Sequence, residues 1–207
     1  MKPIPFRKIR GFLLRFVIAY CLLLVPWPGL GGTYGAWFRT LGRACFSWNG
    51  HPREIDFQKG DTHEGMTMTR IEIVNRDLMA RDGTGPVRNL DVDTGGFWRS
   101  TALLLALVMA TPIPWSRRIR AAIWGCTGVH AFILLSVAFA IWNDSRHIGL
   151  VSLTPFWEGT ADSFQHALFS QLEIAVPALI WILATFRRQD MDALIGSSAQ
   201  KENQSQG

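Results

Sequence analysis

Cysteine is scarce in this chain: its 207 residues include only Cys21, Cys45 and Cys126. An odd number of thiols without paired spacing gives no disulfide framework. Cys21 and Cys126 lie within apolar segments, where a free thiol behaves as a small, buried, inert hydrophobe. Cys45 lies outside those segments and is left without a disulfide partner.

The chain also lacks the short motifs that hold cofactors and metals. It contains no glycine-rich phosphate loop, no paired-cysteine metal motif, no HExxH motif and no detectable internal repeat. We therefore expect no cofactor and no metal centre. The formal charge of +5 would suit nucleic acid only if Lys and Arg were clustered for phosphates. They stand mainly beside apolar segments instead, as membrane anchors do, which excludes a nucleic-acid partner.

Long apolar segments are what the chain does have. A membrane-spanning helix needs about 20 mostly apolar residues, since each adds about 1.5 Å across a core about 30 Å thick. Four segments approach or exceed this length: 11–30, 97–115, 121–142 and 166–186. The pattern predicts a membrane all-α fold with about four transmembrane helices.

Basic residues predict the orientation of these helices. Positive clusters lie before the first segment, between the second and third (Arg117, Arg118, Arg120) and after the fourth (Arg187, Arg188). Because cytoplasmic loops carry the excess of Lys and Arg, all three clusters and both termini are expected in the cytoplasm. The sequence therefore predicts a bacterial inner-membrane protein whose outer loops are residues 31–96 and 143–165. A cleaved signal peptide is the less favoured alternative for the first segment.

The first outer loop is too long for a plain connector and shows strand patterns. Residues 53–58, 66–77 and 86–93 alternate polar with apolar side chains, and Ile71 and Ile73 share one face. We predict a small antiparallel sheet of about three strands. We predict that residues 1–30 form the cytoplasmic N-terminus and the first span, and that residues 31–96 form an extracytoplasmic β-rich loop. Residues 97–188 would contain the other spans and the outer loop 143–165, and residues 189–207 a disordered cytoplasmic tail.

Two groups of polar residues lie on the predicted outer side. Residues 143–147 directly follow the third segment, and Arg146 there offers a fixed cation for a carboxylate or oxyanion; the plainer interpretation is a solvated helix end. Glu158, Asp162 and His166, spaced by four, share one helix face. They would suit a divalent metal, although acids capping a helix N-terminus are the favoured interpretation.

Two further groups are considered. Glu173 lies within the fourth segment, and His130, in the third, is a possible partner in an interhelical hydrogen bond or, less favoured, in a proton or ligand path. The loop residues His51, Asp61, His63 and Glu64 match no metal signature and are interpreted as a solvated turn.

Residues 94–146 carry a family resemblance. A polar opening turn, an apolar span, a Pro-basic link, a second span and Asn-x-x-Arg at its outer end resemble the core of exosortases and archaeosortases, membrane cysteine transpeptidases that process proteins with a C-terminal sorting signal. Asn143 and Arg146 fit the last element, and His166 lies where that family places its histidine. The nucleophilic cysteine expected near Thr94 is absent, since TGG stands there. The chain most resembles the small exosortase H-associated membrane proteins.

The resemblance implies a non-catalytic accessory protein of a bacterial protein-sorting or envelope system. Its outer face, with Asn143, Arg146, His166 and Thr94, would bind an exosortase-like membrane protein or that enzyme's substrate. One alternative is a membrane cysteine transpeptidase or protease that uses Cys45, or a nucleophile not recognised from the sequence, with Arg146 and His166. The other is a small transporter subunit with His130 and Glu173 in its pathway.

Overall fold

The computed structural model describes residues 6–25, 30–47, 55–61, 68–75, 87–149, 154–170 and 172–185. The described chain is mostly helical and includes one small sheet. The elements in chain order are α1 (Phe6–Leu24), α2 (Leu30–Ser47), β1 (Ile55–Lys59), β2 (Met68–Val74), β3 (Val87–Asp93), α3 (Thr94–Ala110), α4 (Trp115–Ser145), a 3-10 turn (Arg146–Ile148), α5 (Pro155–Ser170) and α6 (Leu172–Thr185).

Helix α3 is the centre of a helical bundle. It packs against α1, α4 and α6, and α4 also packs against α6. Leu104 and Val108 of α3 and Val129 of α4 are buried at these contacts. The outward faces are also apolar, which suits lipid better than water. They expose, among others, Leu13, Leu14, Val17, Ile18, Ile123, Leu135, Ile174, Leu179 and Leu183.

One described helix is both long and apolar enough to cross a bilayer: α4 with its 3-10 extension, Trp115–Ile148. The apolar helices Thr94–Ala110 and Ile174–Thr185 are shorter, and α1 includes four basic residues. The segment predicted as the fourth span falls on two helices, since α5 ends at Ser170 and α6 begins at Leu172. The four transmembrane helices therefore stay a prediction, because one described helix is a clear span candidate and the others are not confirmed as spans.

The predicted three-stranded antiparallel sheet is confirmed. Its order is β1-β2-β3, with Phe57 opposite Ile71 and Ile71 opposite Leu90. Ile71 and Ile73 are fully buried on one face, as their alternation predicts. The other face carries charged and polar residues, so the sheet needs cover on one side only.

Helix α2 provides that cover and was missed by the sequence analysis, which assigned residues 31–96 to a β-rich loop. Four of its 18 residues are glycine, and each glycine costs a helix about 1 kcal/mol relative to alanine. Tertiary packing offsets this cost, because Phe46 of α2 stacks on the buried Phe57 of β1 and Phe38 meets the same ring edge-on. The glycine at position 42 makes room for the same ring.

The sheet is fastened to the C-terminal end of α4, which we call the outer end because the sequence predicts it to lie outside the membrane. Arg88 of β3 donates from Nε to Asp144 Oδ1 at 3.3 Å, and the buried Asn75 donates from Nδ2 to the Ile148 carbonyl at 2.8 Å. With 31 residues, α4 is about 46 Å long, which is longer than a hydrocarbon core of about 30 Å.

The packing of α2 on β1 gives a first prediction. In Gly42→Ala the added Cβ would lie 2.6 Å from Cε1 of Phe57, and overpacking of this kind costs about 1–3 kcal/mol. We expect a lower thermal midpoint in detergent micelles, measured by intrinsic fluorescence. The matched control is Gly32→Ala on the same helix, where nothing lies within 4 Å of the new Cβ. Equal midpoints for the two variants would contradict the proposed packing.

Candidate functional site

The outer end of α4 lies beside a polar cavity of about 410 Å³. Helix α4 places Asn143 and Asp144 there, both buried although polar. The chain then turns at Gly149, whose φ of 74° is in the left-handed region that favours glycine. Helix α5 and strand β3 complete the walls. The lining residues are Arg88, Leu90, Asn143, Asp144, His147, Asp162, Gln165 and His166.

A network of four side chains joins α5 to the end of α4 and the turn that follows it. Asp162 accepts hydrogen bonds from Arg146 Nη2 and, at 3.0 Å, from Asn143 Nδ2. Asn143 Nδ2 also donates to Gln165 Oε1. The hydrogen bond from Arg146 and then that from Asn143 lower the pKa of the Asp162 carboxyl below its usual value. Asp162 is therefore an anion at neutral pH.

The cation of this pair is far more buried than the anion. The Arg146 side chain is 6% exposed and the Asp162 side chain 61%. Arg146 Nε and Nη1 and Asn143 Oδ1 are buried without a hydrogen-bond partner among the described residues. Buried polar atoms normally have hydrogen-bond partners, so these three atoms are exceptions within the described residues.

A second cavity, of about 370 Å³ and largely apolar, adjoins the first. It lies between β3, α3, α4, α5 and α6 and shares Leu90 and Gln165 with the polar cavity. We call the two together the outer groove. Its apolar part includes Val92, Phe97, Val129, Phe132, Ile133, Leu168 and Val176.

The structure brings together some of the residues singled out from sequence. Asn143 and His166 line the polar cavity, and Arg146 contacts it through Asp162. Thr94 is buried in the first turn of α3, where Asp93 caps the helix by accepting from Gly95 N at 2.8 Å. Thr94 lines neither cavity, but Gly96, two residues further along α3, lines the apolar one.

None of the three cysteines lines the outer groove. Cys45 is exposed on α2, which packs on β1, the strand at the opposite edge of the sheet from β3. Cys21, expected to be buried, is exposed, and Cys126 is half-buried. In a bundle whose outer surface is apolar, a thiol in an apolar segment can face outward, so apolar surroundings alone do not predict burial.

His130 has partners other than the one considered from sequence. Its Nδ1 lies 2.8 Å from the Cys126 carbonyl, which can only accept, so Nδ1 carries the proton. Its Nε2 lies 3.3 Å from the Tyr34 hydroxyl of α2. The side chain of Glu173, like His51, His63 and Glu64, lies outside the described residues, whereas Asp61 pairs with Arg70 at 3.2 Å.

Within the described residues no group of three or more His, Cys, Asp or Glu side chains is placed to hold a metal ion. Asp162 and His166 line the polar cavity, and Glu158 does not. Sequence reasoning missed Arg88 and Gln165, since neither belongs to a motif. Arg88 reaches Asp144 across 56 positions of the chain, and no local pattern reports such a contact.

Comparison with known proteins gives one match. The family model for exosortase H-associated membrane proteins matches residues 7–187 of this chain. Searches of curated proteins and of solved structures find no match. The matched residues include every described helix and strand except the first residue of α1.

The depressed pKa of Asp162 predicts a pH-dependent contribution to stability. This contribution is present above the unfolded pKa, about 3.9, and is lost as pH falls through the lower folded pKa. Asp162→Asn should lower the thermal midpoint at pH 7, and the difference from the wild type should shrink below about pH 4.

Thermal unfolding in micelles across this pH range is the measurement. Glu158→Gln, an exposed acid on the same helix, controls for the general loss of a negative charge. A difference for Asp162→Asn that is unchanged at low pH would show that the carboxylate form does not stabilise this network.

Proposed function

This chain belongs to the family of exosortase H-associated membrane proteins, and from that premise we propose that it is a non-catalytic accessory protein of a bacterial exosortase system. Its outer face would bind the exosortase-like membrane enzyme or that enzyme's substrate. The enzyme would supply the transpeptidation chemistry, and this chain would hold one of the participants in place.

The observation that carries this proposal is a groove beside a fixed cation, with no thiol in its lining. The His166 imidazole lines its polar end, where Arg146 is bonded to the lining residue Asp162. Gly96 lines its apolar end, close to where a transpeptidase of this type would need its cysteine. A nucleophile must lie beside its base to react. Cys45, on the side of β1, does not meet that condition, so the arrangement supports binding over catalysis.

We propose a topology of four membrane crossings with both termini in the cytoplasm. The crossings are α1, α3, α4 and the region of α5 and α6 that ends the bundle. Support comes from the apolar outer faces of α1, α4 and α6 and from basic residues at the presumed inner ends, such as Arg117 beside Thr185. The sheet and α2 would form the outer domain, and 189–207 a cytoplasmic tail.

Reporter fusions test this topology. Alkaline phosphatase, active only outside the cytoplasm, should be active when fused after Asp61 or Gly149 and inactive after Ser116 or Gly207. Fusions of green fluorescent protein at the same positions should give the reverse pattern. Phosphatase activity after Ser116 or Gly207 would overturn the four-crossing arrangement.

Co-purification tests the accessory role. The tagged chain, isolated from its own host in mild detergent, should carry a membrane cysteine transpeptidase in near-equal amount. Arg146→Met keeps the apolar stem of the side chain and should reduce recovery by about tenfold, since truncating a buried charged contact is costly.

The matched control is Arg120→Ala, an exposed arginine at the other end of α4, which should leave recovery unchanged. Size-exclusion profiles confirm that both variants are folded. Recovery of the chain alone would contradict the accessory role, and equal recovery with Arg146→Met would remove Arg146 from the binding site.

A further inference from the structure

The hydrogen bonds of the sheet identify which main-chain groups of β3 lie on its free edge, the edge away from β2. Gly60 N donates to the Met68 carbonyl at 3.1 Å, so these two residues form a hydrogen-bonded pair. In an antiparallel ladder such pairs alternate with pairs that are not hydrogen-bonded. With this register, the main-chain N–H and C=O groups of Ile71 point toward Leu90 of β3. The N–H and C=O groups of Asn89 and Asp91 point away from β2.

The other edge of the sheet agrees with this assignment. The same alternation turns the Phe57 carbonyl of β1 away from β2, and Arg43 of α2 donates to it from Nη2. The edge of β1 is therefore partly capped by a basic side chain. Among the described residues, no main-chain group outside the sheet bonds to the outward edge of β3.

The outer groove runs along this open edge. Leu90, Asp91, Val92 and Asp93 all line its apolar part. Successive side chains of a strand point to opposite faces, and Arg70 holds the Asp91 side chain on the polar face at 3.0 Å. A cavity that touches four consecutive residues must therefore meet the strand at its edge, where main-chain groups are available.

The two ends of the groove differ in character along β3. Arg88, near the start of the strand, lies at the polar end with Asp162 and the buried, incompletely bonded Arg146. The end of the strand leads directly into α3, and the groove there is walled by Phe97, Val129 and other apolar side chains. An occupant that follows β3 passes from a polar to an apolar environment.

We propose that β3 accepts an extended segment of another membrane protein as a fourth strand, with the continuation of that segment entering the apolar part of the groove. Main-chain hydrogen bonds to Asn89 and Asp91 hold the segment, and the half-exposed Arg88 guanidinium lies beside its polar end. A lipid chain would fill the apolar part of the groove, but it has no row of hydrogen-bond donors and acceptors to pair with the free edge of β3. The inference rests on the proposed function and specifies how its partner is bound.

A fluorescent synthetic peptide is the probe. It has a glutamate, then seven alternating Thr and Val residues to match the seven of β3, then a stretch of Leu and Ala. Fluorescence anisotropy measures its binding to the full chain in detergent micelles. Asn89→Pro removes only an outward N–H, so the ladder to β2 stays intact. It should weaken binding by about tenfold, equivalent to about 1.4 kcal/mol.

Two matched variants control for the loss of the Asn89 side chain and for the introduction of a proline elsewhere in the sheet. Asn89→Ala removes the side chain and keeps the N–H, so binding should persist. Lys59→Pro changes the main chain at the outward edge of β1, away from the groove, and should also leave binding intact. Peptides N-methylated at alternate positions give an independent readout that needs no change to the protein. If the peptide adds as a strand, N-methylation at one set of alternate positions should abolish its binding. N-methylation at the other set should leave binding intact.

Three results would overturn the inference: no saturable binding of the peptide, equal affinities of Asn89→Pro and Asn89→Ala, or equal loss for both N-methylated sets. The last result would indicate an apolar chain, such as a lipid, in the groove. Co-purification of the transpeptidase by the wild-type chain is scored separately. If it persists while the peptide tests fail, the accessory role stands and only the strand-addition mode is rejected.

Discussion

The C-terminal end of α4 is the constraint on which the position of the sheet depends. The last turn of this 31-residue helix carries Asp144, which accepts from Arg88 of β3. The chain then enters the turn whose Ile148 carbonyl accepts from Asn75. A small sheet needs an apolar face that is packed. Helix α2 covers that face at Phe57, and the two contacts at the end of α4 fix where the sheet lies relative to the bundle.

The Arg146 side chain is nearly buried although it is charged. Removing a guanidinium from water costs several kcal/mol unless it is paired and hydrogen-bonded. Arg146 has one partner among the described residues, Asp162, and two donor nitrogens without one. A buried ion pair is weak evidence for stability, so the clearest consequence of this contact is geometric: it joins α5 to the turn that follows α4.

The sequence predicts the local patterns well and the tertiary contacts poorly. Alternation places all three strands and the buried Ile71 and Ile73, because a period of two is visible in a single strand. Helix α2 is missed because glycine lowers local propensity while Phe57, distant in sequence, supplies the stabilising contact. For the candidate site, the family resemblance singles out Asn143, Arg146 and His166. Arg88 and Gln165 are not, since only the folded chain brings them there.

The distribution of satisfied polar groups bears on where this protein acts. Along α3 and α4 the hydroxyls of Thr101, Thr127 and Ser136 each donate to the carbonyl four residues earlier, and His130 likewise bonds Cys126. Such groups need no water or ligand, which weighs against a solute pathway through the bundle. Of the five buried side-chain atoms without a partner among the described residues, three belong to Asn143 and Arg146 at the outer end of α4. Among the described residues, unmet hydrogen-bonding capacity is therefore concentrated where the sheet, α4 and α5 meet, rather than inside the helical bundle.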